Sequence, residues 1–443
     1  MEYTGLQEIK GNLVILNGVE DAAYDEIVYV KTTDGMTRIG RVILMDGDVA
    51  VVMVFEGTRG LTLDSTRVKF TGRPLEMGLS DEILGRVFDG LARPRDGLGE
   101  VSAETRHEIS GVALNPVERI YPRNYIHTGI SAIDGLITLI RGQKLPIFSA
   151  DGLPHDKLAA QIATQAGISP CGSSAQTTGD EEFAVVFAAM GIQHDTAEFF
   201  RRTFTESGQF ERTVMFLNMA NDPPTERVAT PRFALTAAEY LAYERGYHVL
   251  VILTDMTAYA ETLRELSSAH GEIPGRKGFP GYMYSDLASL YERAGIRRGC
   301  RGSITQIPIL TMPGEDITHP IPDLTGYITE GQIVLSRDLF RRGIYPPISV
   351  LPSLSRLMKD GIGENFTTKD HPHTAAKLFR TYAEAQEIRA QATVTGEDDL
   401  SPHEKSLLNF AHRFEQTFLH QPHQNRTLHE TLQIADTLLQ PSQ

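Results

Sequence analysis

The sequence predicts an α/β protein in three parts: an N-terminal antiparallel β-barrel, a central α/β domain with a mostly parallel sheet, and a C-terminal helical domain. Three observations carry this prediction: short strand-like runs at the start, apolar runs between helix-like stretches in the middle, and helix-capping motifs near the end. We place the three parts at 1–72, 73–358 and 359–443. A length of 443 residues suits two or three domains.

The first part is rich in β-branched and aromatic residues, which favour strands. Runs of this kind occupy 27–30, 37–44 and 49–55. Asp-Gly pairs at 34–35 and 46–47 lie between them, and such pairs favour tight hairpin turns because these turns need positive φ. Several short strands at this spacing predict a small antiparallel barrel.

The central part contains continuous apolar runs, which are typical of parallel strands covered by helices on both faces. These runs lie at 145–148, 183–190, 214–217, 249–253 and 307–310. One intervening helix is predicted to be capped by Thr230, to have Pro231 in its first turn and to end at Gly246. The segment 171–179 is predicted to be a flexible loop.

Two capping boxes predict helices in the last part. Ser401 and Glu404 have the spacing of such a box, with Pro402 at the first helical position. Thr427 and Glu430 repeat the box. Apolar residues follow each box at helical spacing, so this part is predicted to be helical.

The composition limits the classes of partner. Asp and Glu total 57 against 42 Lys and Arg, which gives a net charge of −15. Such a surface repels phosphate backbones, so nucleic acid is not expected as a main partner. Two cysteines cannot form a disulfide framework, which favours a reducing compartment. The N-terminus lacks signal-peptide features, and no apolar run approaches the roughly 20 residues of a membrane span. Membrane contact is therefore expected only through other subunits.

Five segments carry a resemblance to a known family. They read TGISAID at 128–134, RGQKLPIF at 141–148, FAAMG at 187–191, PIPDLTGYITE at 320–330 and VLPSLSRL at 350–357. Each resembles a segment of the B subunits of V-type, or A-type, rotary ATPases nearly letter for letter. The match covers about 10–435 in a single order, and on it the chain is identified as a member of that family.

The resemblance implies an assembly. Three B subunits would alternate with three catalytic A subunits in a ring around a central stalk, beside a peripheral stalk. The ring would belong to the soluble V1 or A1 sector on the cytoplasmic face of a membrane. ATP hydrolysis or synthesis would be coupled there to proton or sodium transport. The basic loop 275–281 corresponds to a segment that lies toward the central shaft in the family.

The resemblance also implies a P-loop-NTPase-like central domain, but the phosphate loop is degenerate. A working loop reads G-x-x-x-x-G-K-[ST], in which lysine reaches the phosphates and the hydroxyl holds magnesium. After the apolar run 145–148, this chain has His155, Asp156 and Lys157 where Gly, Lys and Thr should stand. The alternative is an unusual phosphate loop that uses Lys157, which lies one position late. We favour an inert loop that preserves the fold.

Two further positions agree with the loss of catalysis. Catalytic relatives have a Gly-Glu-Arg whose glutamate polarises water, whereas this chain has Ile192 at the position of that glutamate. Asp255 ends a run shaped like a Walker B strand. Without the lysine and the hydroxyl, Asp255 alone does not make a magnesium site, and we expect it to hydrogen-bond loop backbone instead.

Arg356 is the predicted functional residue, both catalytic and nucleotide-binding. It resembles the arginine that the B subunit sends across the interface into the ATP site of the A subunit, where Mg²⁺-ATP is bound mainly by A. A guanidinium suits this role because it stays charged and its planar fork bridges phosphate oxygens. The alternatives are a surface arginine in an ion pair within a pure scaffold, or a self-sufficient hexameric ATPase.

The remaining features weigh less. The family usually has Asp where this chain has Ser349, which removes a local hydrogen-bond acceptor but leaves Arg356 in place. Four C-terminal histidines form two close pairs, but no thiol or acidic set completes a tetrahedral site. We therefore predict no metal site and interpret these histidines as solvated; they are His371, His373, His420 and His423.

Overall fold

The computed structural model describes residues 1–32, 35–168, 181–269, 271–396 and 400–440. Asp34 of the first predicted turn and the predicted loop 171–179 lie outside these residues. The predicted fold class is confirmed, because an antiparallel sheet, a mostly parallel sheet with helices and a group of helices follow one another along the chain.

The N-terminal part is one seven-stranded antiparallel sheet in the order β1-β7-β4-β5-β6-β3-β2. The strands are β1 (Glu2–Thr4), β2 (Glu8–Lys10), β3 (Leu13–Leu16), β4 (Ile27–Lys31), β5 (Thr37–Asp46), β6 (Val49–Val54) and β7 (Arg67–Phe70). Val28, Val42 and Val52 are fully buried in a core shared by these strands. The second predicted turn is present, with Gly47 at φ +60° between β5 and β6.

A second sheet forms the centre of the molecule, in the order β18-β17-β11-β16-β14-β12-β13-β9, with β15 beside β16. Its strands are β9 (Val87–Phe88), β11 (Ile147–Ser149), β12 (Phe183–Ile192), β13 (Thr213–Met219), β14 (His248–Thr254), β15 (Gly295–Ile296), β16 (Ser303–Thr311), β17 (Gly331–Leu335) and β18 (Ile348–Ser355). All neighbours along the order are parallel except β17 and β18, and β15 is antiparallel to β16. A separate antiparallel pair joins β8 (Glu76–Leu79) to β10 (Thr105–Glu108).

Helices cover both faces of the central sheet. They are α1 (Ser131–Leu136), α2 (His155–Gln165), α3 (His194–Glu206), α4 (Pro224–Glu239), α5 (Met256–Ala269), α6 (Met283–Tyr291), α7 (Pro320–Ile328) and α8 (Arg337–Arg341). Successive side chains of β12 alternate between two cores. Val185 and Phe187 join the core that contains α2 and α3, whereas Ala184 and Val186 join the core of α4 and α5. This two-sided burial explains why the strand sequences are continuously apolar.

The structure corrects the predicted start of one helix. Thr230 does not cap α4 and Pro231 is not in its first turn, because the helix begins at Pro224 and contains Pro231 in its interior. The Thr230 hydroxyl instead donates to the carbonyl of Glu226, at 2.8 Å, one turn earlier. A π-helical segment, Tyr240–Glu244, extends α4, and Gly246 follows its end at φ +86° as predicted.

The last part contains α9 (Met358–Gly361), α10 (His371–Thr395), α11 (Pro402–Arg413), the π-helical segment Phe414–Leu419 and α12 (Leu428–Leu439). Both predicted capping boxes are confirmed, one before α11 and one before α12. The buried carboxylate of Glu415 accepts a hydrogen bond from Arg389 of α10 at 2.7 Å. It also accepts one from Arg342, just after α8, at 2.6 Å, which ties this part to the central domain. Among the described residues, no helix combines the length and hydropathy that a bilayer crossing needs.

Candidate functional site

The degenerate loop lies between β11 and α2, at the edge of the central sheet where the parallel strands end. We call this edge the carboxyl edge, and the opposite edge, where those strands begin, the amino edge. Ligands in open parallel sheets normally bind outside the carboxyl edge. Here the loop closes on itself: the amide of Leu153 donates to Ala150 O at 3.1 Å, and the amide of His155 donates to Leu153 O at 2.9 Å. The amides of these two residues are therefore already used within the loop and are not free to contact a phosphate.

Side chains complete the closure of this loop. The His155 ring shares a hydrogen bond of 3.1 Å with the Ser149 hydroxyl, and its other nitrogen lies 3.7 Å from an Asp156 oxygen. Arg337 donates to the carbonyl of Asp151 at 2.7 Å and so ties the loop to α8. The side chains of His155 and Arg337 thus hold the loop through contacts within this chain.

The charge of the loop is also wrong for phosphate. Burial raises the pKa of Asp156, and the nearby negative charge of Asp255 adds to the rise, while His155 opposes it. An anionic ligand beside Asp156 would oppose the ionisation of this carboxyl group further. Lys157 is exposed, one residue further along α2.

The neighbouring strand ends contain no catalytic acid at the predicted position. Ile192 ends β12 and packs into the apolar core, and its side chain has no group that could accept a proton or orient water. Asp255 accepts hydrogen bonds from the amide of Thr257 at 2.9 Å, and from the amide and hydroxyl of Thr311 at 3.3 and 2.7 Å. Asp255 hydrogen-bonds backbone as expected, but the backbone belongs to the first turn of α5 and the last residue of β16 and not to a loop.

Arg356 lies at the other end of the sheet. It directly follows β18, whose last residue, Ser355, pairs with Gly331, the first residue of β17. Because β17 runs parallel to β11, Arg356 lies at the amino edge. The five residues of β17 separate the two edges by roughly 16 Å. Arg356 is therefore positioned away from the degenerate loop of its own chain.

The guanidinium of Arg356 is exposed and weakly held. Its Nη1 donates to the carbonyl of Thr329 across 3.5 Å, and within the described residues no carboxylate lies at ion-pairing distance from it. Its backbone amide, by contrast, donates to Glu330 O at 3.0 Å. A fixed backbone with an unpaired cation is suited to meeting an anion from outside the chain.

The substituted Ser349 lies within β18. It pairs with Val334 of β17, and its carbonyl oxygen accepts a hydrogen bond from the Ser353 hydroxyl at 2.5 Å. The strand that carries Arg356 thus keeps its pairing with β17 in the presence of this substitution.

Two charged residues behind Arg356, Lys144 and Glu330, were not singled out from the sequence. Lys144 is 2% exposed and forms ion pairs with Glu330 at 2.8 Å and Glu292 at 2.9 Å. The position of Lys144 directly before the apolar run 145–148 is a signal that could have indicated a buried cation.

The C-terminal histidines do not gather into a ligand set. The interpretation of His371 as solvated is wrong, because its ring is buried between Thr367 and the carbonyl of Gly135, at 3.1 and 3.0 Å. Burial lowers the pKa of His371 accordingly. His373 and His423 are exposed. In the part of the chain that the structure describes, no three or more His, Cys, Asp or Glu residues form a group able to hold a metal.

The basic loop 275–281 carries ion pairs within the chain. Arg276 contacts Asp323 at 2.9 Å and Lys277 contacts Asp316 at 3.1 Å. Much of the positive charge expected to face a shaft is thereby neutralised locally.

Three family models match the chain in succession. They are the ATP synthase alpha/beta family beta-barrel domain over 6–72, the nucleotide-binding domain of the same family over 129–355, and the C-terminal domain of V and A type ATP synthase over 360–441. The nucleotide-binding match alone covers more than half of the 443 residues.

Individual proteins match along nearly their whole length. The V-type ATP synthase beta chain of Halothermothrix orenii is 59% identical, over 98% of this chain and 92% of its own. The B subunit of the A-type ATP synthase of Nitrosopumilus maritimus is 55% identical, over 98% and 93%. Among solved structures, the ATP synthase subunit NeqB from Nanoarcheaum equitans has a TM-score of 0.75 at 38% identity, over 97% of this chain and 98% of its own.

Proposed function

Because this chain belongs to the ATP synthase alpha/beta family, among the B (beta) chains of the V-type and A-type enzymes, we propose that it is the non-catalytic subunit of the rotary ATPase and lends Arg356 to its neighbour's ATP site. It would alternate with catalytic A subunits in a hexameric ring. Mg²⁺-ATP would be bound mainly by A, at the interface that Arg356 faces.

The position of Arg356 is the observation that carries the proposal. The guanidinium is exposed, forms no ion pair within the described residues and lies at the amino edge, roughly 16 Å from the degenerate loop. An arginine placed there serves a nucleotide of another subunit more readily than one of its own. The closed loop at the carboxyl edge supports the same division of labour.

The chemistry of the transferred phosphoryl group explains the use of arginine. Negative charge moves toward the bridging and leaving oxygens in the transition state, and a forked cation stabilises two oxygens at once. Arginines supplied in trans accelerate phosphoryl transfer by about 10³ to 10⁵. This chain would contribute that stabilisation, while the A subunit would position the water, the magnesium and most of the nucleotide.

The wider assembly follows from family membership. We place the chain in the V1 or A1 sector at the cytoplasmic face, in contact with the central and peripheral stalks, with ion transport by proton or sodium in the membrane sector. We keep 1–72, 73–358 and 359–443 as the limits of its three domains.

The test is Arg356→Ala in the assembled ring with its A partner. A fall in kcat of about 10³ or more is expected, with assembly by gel filtration and melting temperature unchanged, because Arg356 fills no cavity in its own core. The matched control is Arg380→Ala, which removes another exposed arginine, on α10, and should leave kcat unchanged.

Either of two results would contradict the proposal. A correctly assembled Arg356→Ala ring with near-normal kcat would favour a pure scaffold. Steady-state ATP hydrolysis by the isolated chain would favour a self-sufficient ATPase.

A further inference from the structure

The backbone on either side of Arg356 is held by a buried polar network. Gln143, which is fully buried, donates from Nε2 to Glu330 O at 3.0 Å and to the Ser355 hydroxyl at 2.9 Å. The same Glu330 carbonyl accepts the amide of Arg356 at 3.0 Å. One side chain therefore links the start of β17 to the end of β18, next to the arginine.

A buried cation holds Glu330 in turn. The Lys144 ammonium is 2% exposed and lies 2.8 Å from the Glu330 carboxylate, which also accepts the backbone amide of Lys144 at 2.8 Å. The amide of Glu330 donates to Lys144 O at 3.0 Å. Glu330 is thus fixed through backbone and side chain together. A second carboxylate, Glu292, lies 2.9 Å from the same ammonium and is also paired with Arg119 at 2.7 Å.

The close approach of the two strands depends on this arrangement. Gly331 has φ +142°, and a Cβ there would collide with the carbonyl of Leu354. Because β17 begins so close to β18, a displacement of Glu330 passes directly to Ser355 and Arg356. Within such a packed junction, no flexible segment intervenes to absorb the shift.

We propose that Gln143, Lys144 and Glu330 are positioning residues, which hold the Arg356 backbone in register so that its guanidinium meets the phosphates across the interface. This inference rests on the proposed function of Arg356. The three residues touch no nucleotide themselves; they act through the arginine. A misplacement of about 1 Å at a reacting centre can cost up to about 10²-fold in rate.

The experiment is a double-mutant cycle on kcat of the assembled ring. Glu330→Gln keeps the shape of the side chain and removes its charge, so Lys144 retains only Glu292. Alone it should lower kcat roughly 10- to 100-fold with little change in KM, because the loss falls on the transition state. In an Arg356→Ala background it should lower kcat no further, since the group it positions is gone.

Ser355→Ala provides a milder second variant if Glu330→Gln fails to assemble. It removes one hydroxyl that receives the Gln143 amide and should lower kcat about fivefold, the equivalent of one hydrogen bond. That loss should also vanish in the Arg356→Ala background.

Asp96→Asn is the matched control. It removes the acid of a similarly buried ion pair, with Arg86, beside β9 at the far side of the same sheet. Seven strand spacings, about 34 Å, separate β9 from β18. Asp96→Asn should lower the melting temperature and leave kcat unchanged.

The outcomes separate the two proposals. Two results would overturn the positioning role alone. Glu330→Gln could lower kcat by the same factor with Arg356 present and with Arg356→Ala, or it could leave kcat normal although Arg356→Ala lowers kcat. A normal kcat for Arg356→Ala would overturn the function of the arginine, and the positioning role with it.

Discussion

The two edges of the central sheet differ in how their polar groups are satisfied. At the carboxyl edge, the amides of Leu153 and His155 bond within the loop, and Asp255 is bonded to two threonines. At the amino edge, the backbone of Arg356 is held as firmly, but its guanidinium has no carboxylate partner among the described residues. At the edge where such folds usually bind nucleotide, these polar groups are hydrogen-bonded within the chain. The opposite edge presents a cation without a carboxylate partner among the described residues.

Under the proposed function, this contrast is that of a fold kept without the phosphate site. A phosphate loop needs a glycine, a lysine and a hydroxyl at three successive positions, which are His155, Asp156 and Lys157 in this chain, yet the strand before them and the helix they begin are both formed. The strand pairing that carries Arg356 involves other residues and is unaffected by those changes. The replacement of the phosphate-loop residues at the carboxyl edge is thus compatible with an intact position of Arg356 at the amino edge.

Arg356→Lys should have the largest effect of the variants that sharpen this comparison. If the amino edge needs a forked donor rather than positive charge alone, kcat of the ring should fall by at least about 10²-fold, close to the alanine variant. Single-turnover hydrolysis in the assembled ring measures the chemical step directly. An assembled Arg356→Lys ring that keeps more than half of the normal kcat would show that positive charge alone suffices at this position.

Acid should weaken the amino edge through His248, at the start of β14. Its ring hydrogen-bonds Ser303 at 2.8 Å and lies 3.3 Å from Arg141, with the Glu181 carboxylate 4.0 Å away. Burial, followed by the charge of Arg141, lowers the pKa of His248 to about 4, against the opposing pull of Glu181. The unfolded chain therefore takes up a proton first as the pH falls through about 6.5.

The sign of the effect follows from that order of protonation. The stability contributed by neutral His248 is complete above pH 6.5 and is lost as the pH falls toward 4, by on the order of 2–3 kcal/mol. Between pH 7 and pH 4.5, the free energy of unfolding of His248→Gln, measured with urea, should fall by less than that of the unmodified chain. His373→Gln, on an exposed residue, serves as the control and should match the unmodified chain. Equal acid sensitivity of His248→Gln and the unmodified chain would contradict the assignment.

Asp156→Lys should have the smallest effect on catalysis, namely none. The substitution places lysine at the phosphate-binding position, but the glycine, the hydroxyl and the glutamate remain missing, at 155, 157 and 192. ATP hydrolysis by the isolated variant should stay at background in a coupled assay. Measurable turnover would show that the closed loop reopens once the carboxylate is removed.

Prediction from sequence succeeded where the signal was local. The capping boxes at Ser401 and Thr427 involve contacts three residues apart, so their spacing alone is informative. The sequence misplaces the start of α4 because Pro231 resembles a helix-start signal, whereas it lies inside a helix packed against β12 and α5. Tertiary packing there outweighed a local preference against interior proline. His371 was likewise assigned to solvent although the fold buries it.

The sequence by itself determined the order of the three parts and the degenerate letters at 155–157, and its resemblance to the family singled out Arg356. Only the tertiary structure decided which edge each of them occupies, that the guanidinium lacks a carboxylate partner in the described residues, and that Lys144 is buried against Glu330. The physical reason is the distance along the chain between the residues that meet. A motif is written in a few consecutive residues, whereas parallel pairing and buried ion pairs join positions far apart, 186 residues in the case of Lys144 and Glu330. No short sequence motif predicts a contact between residues so far apart in the chain.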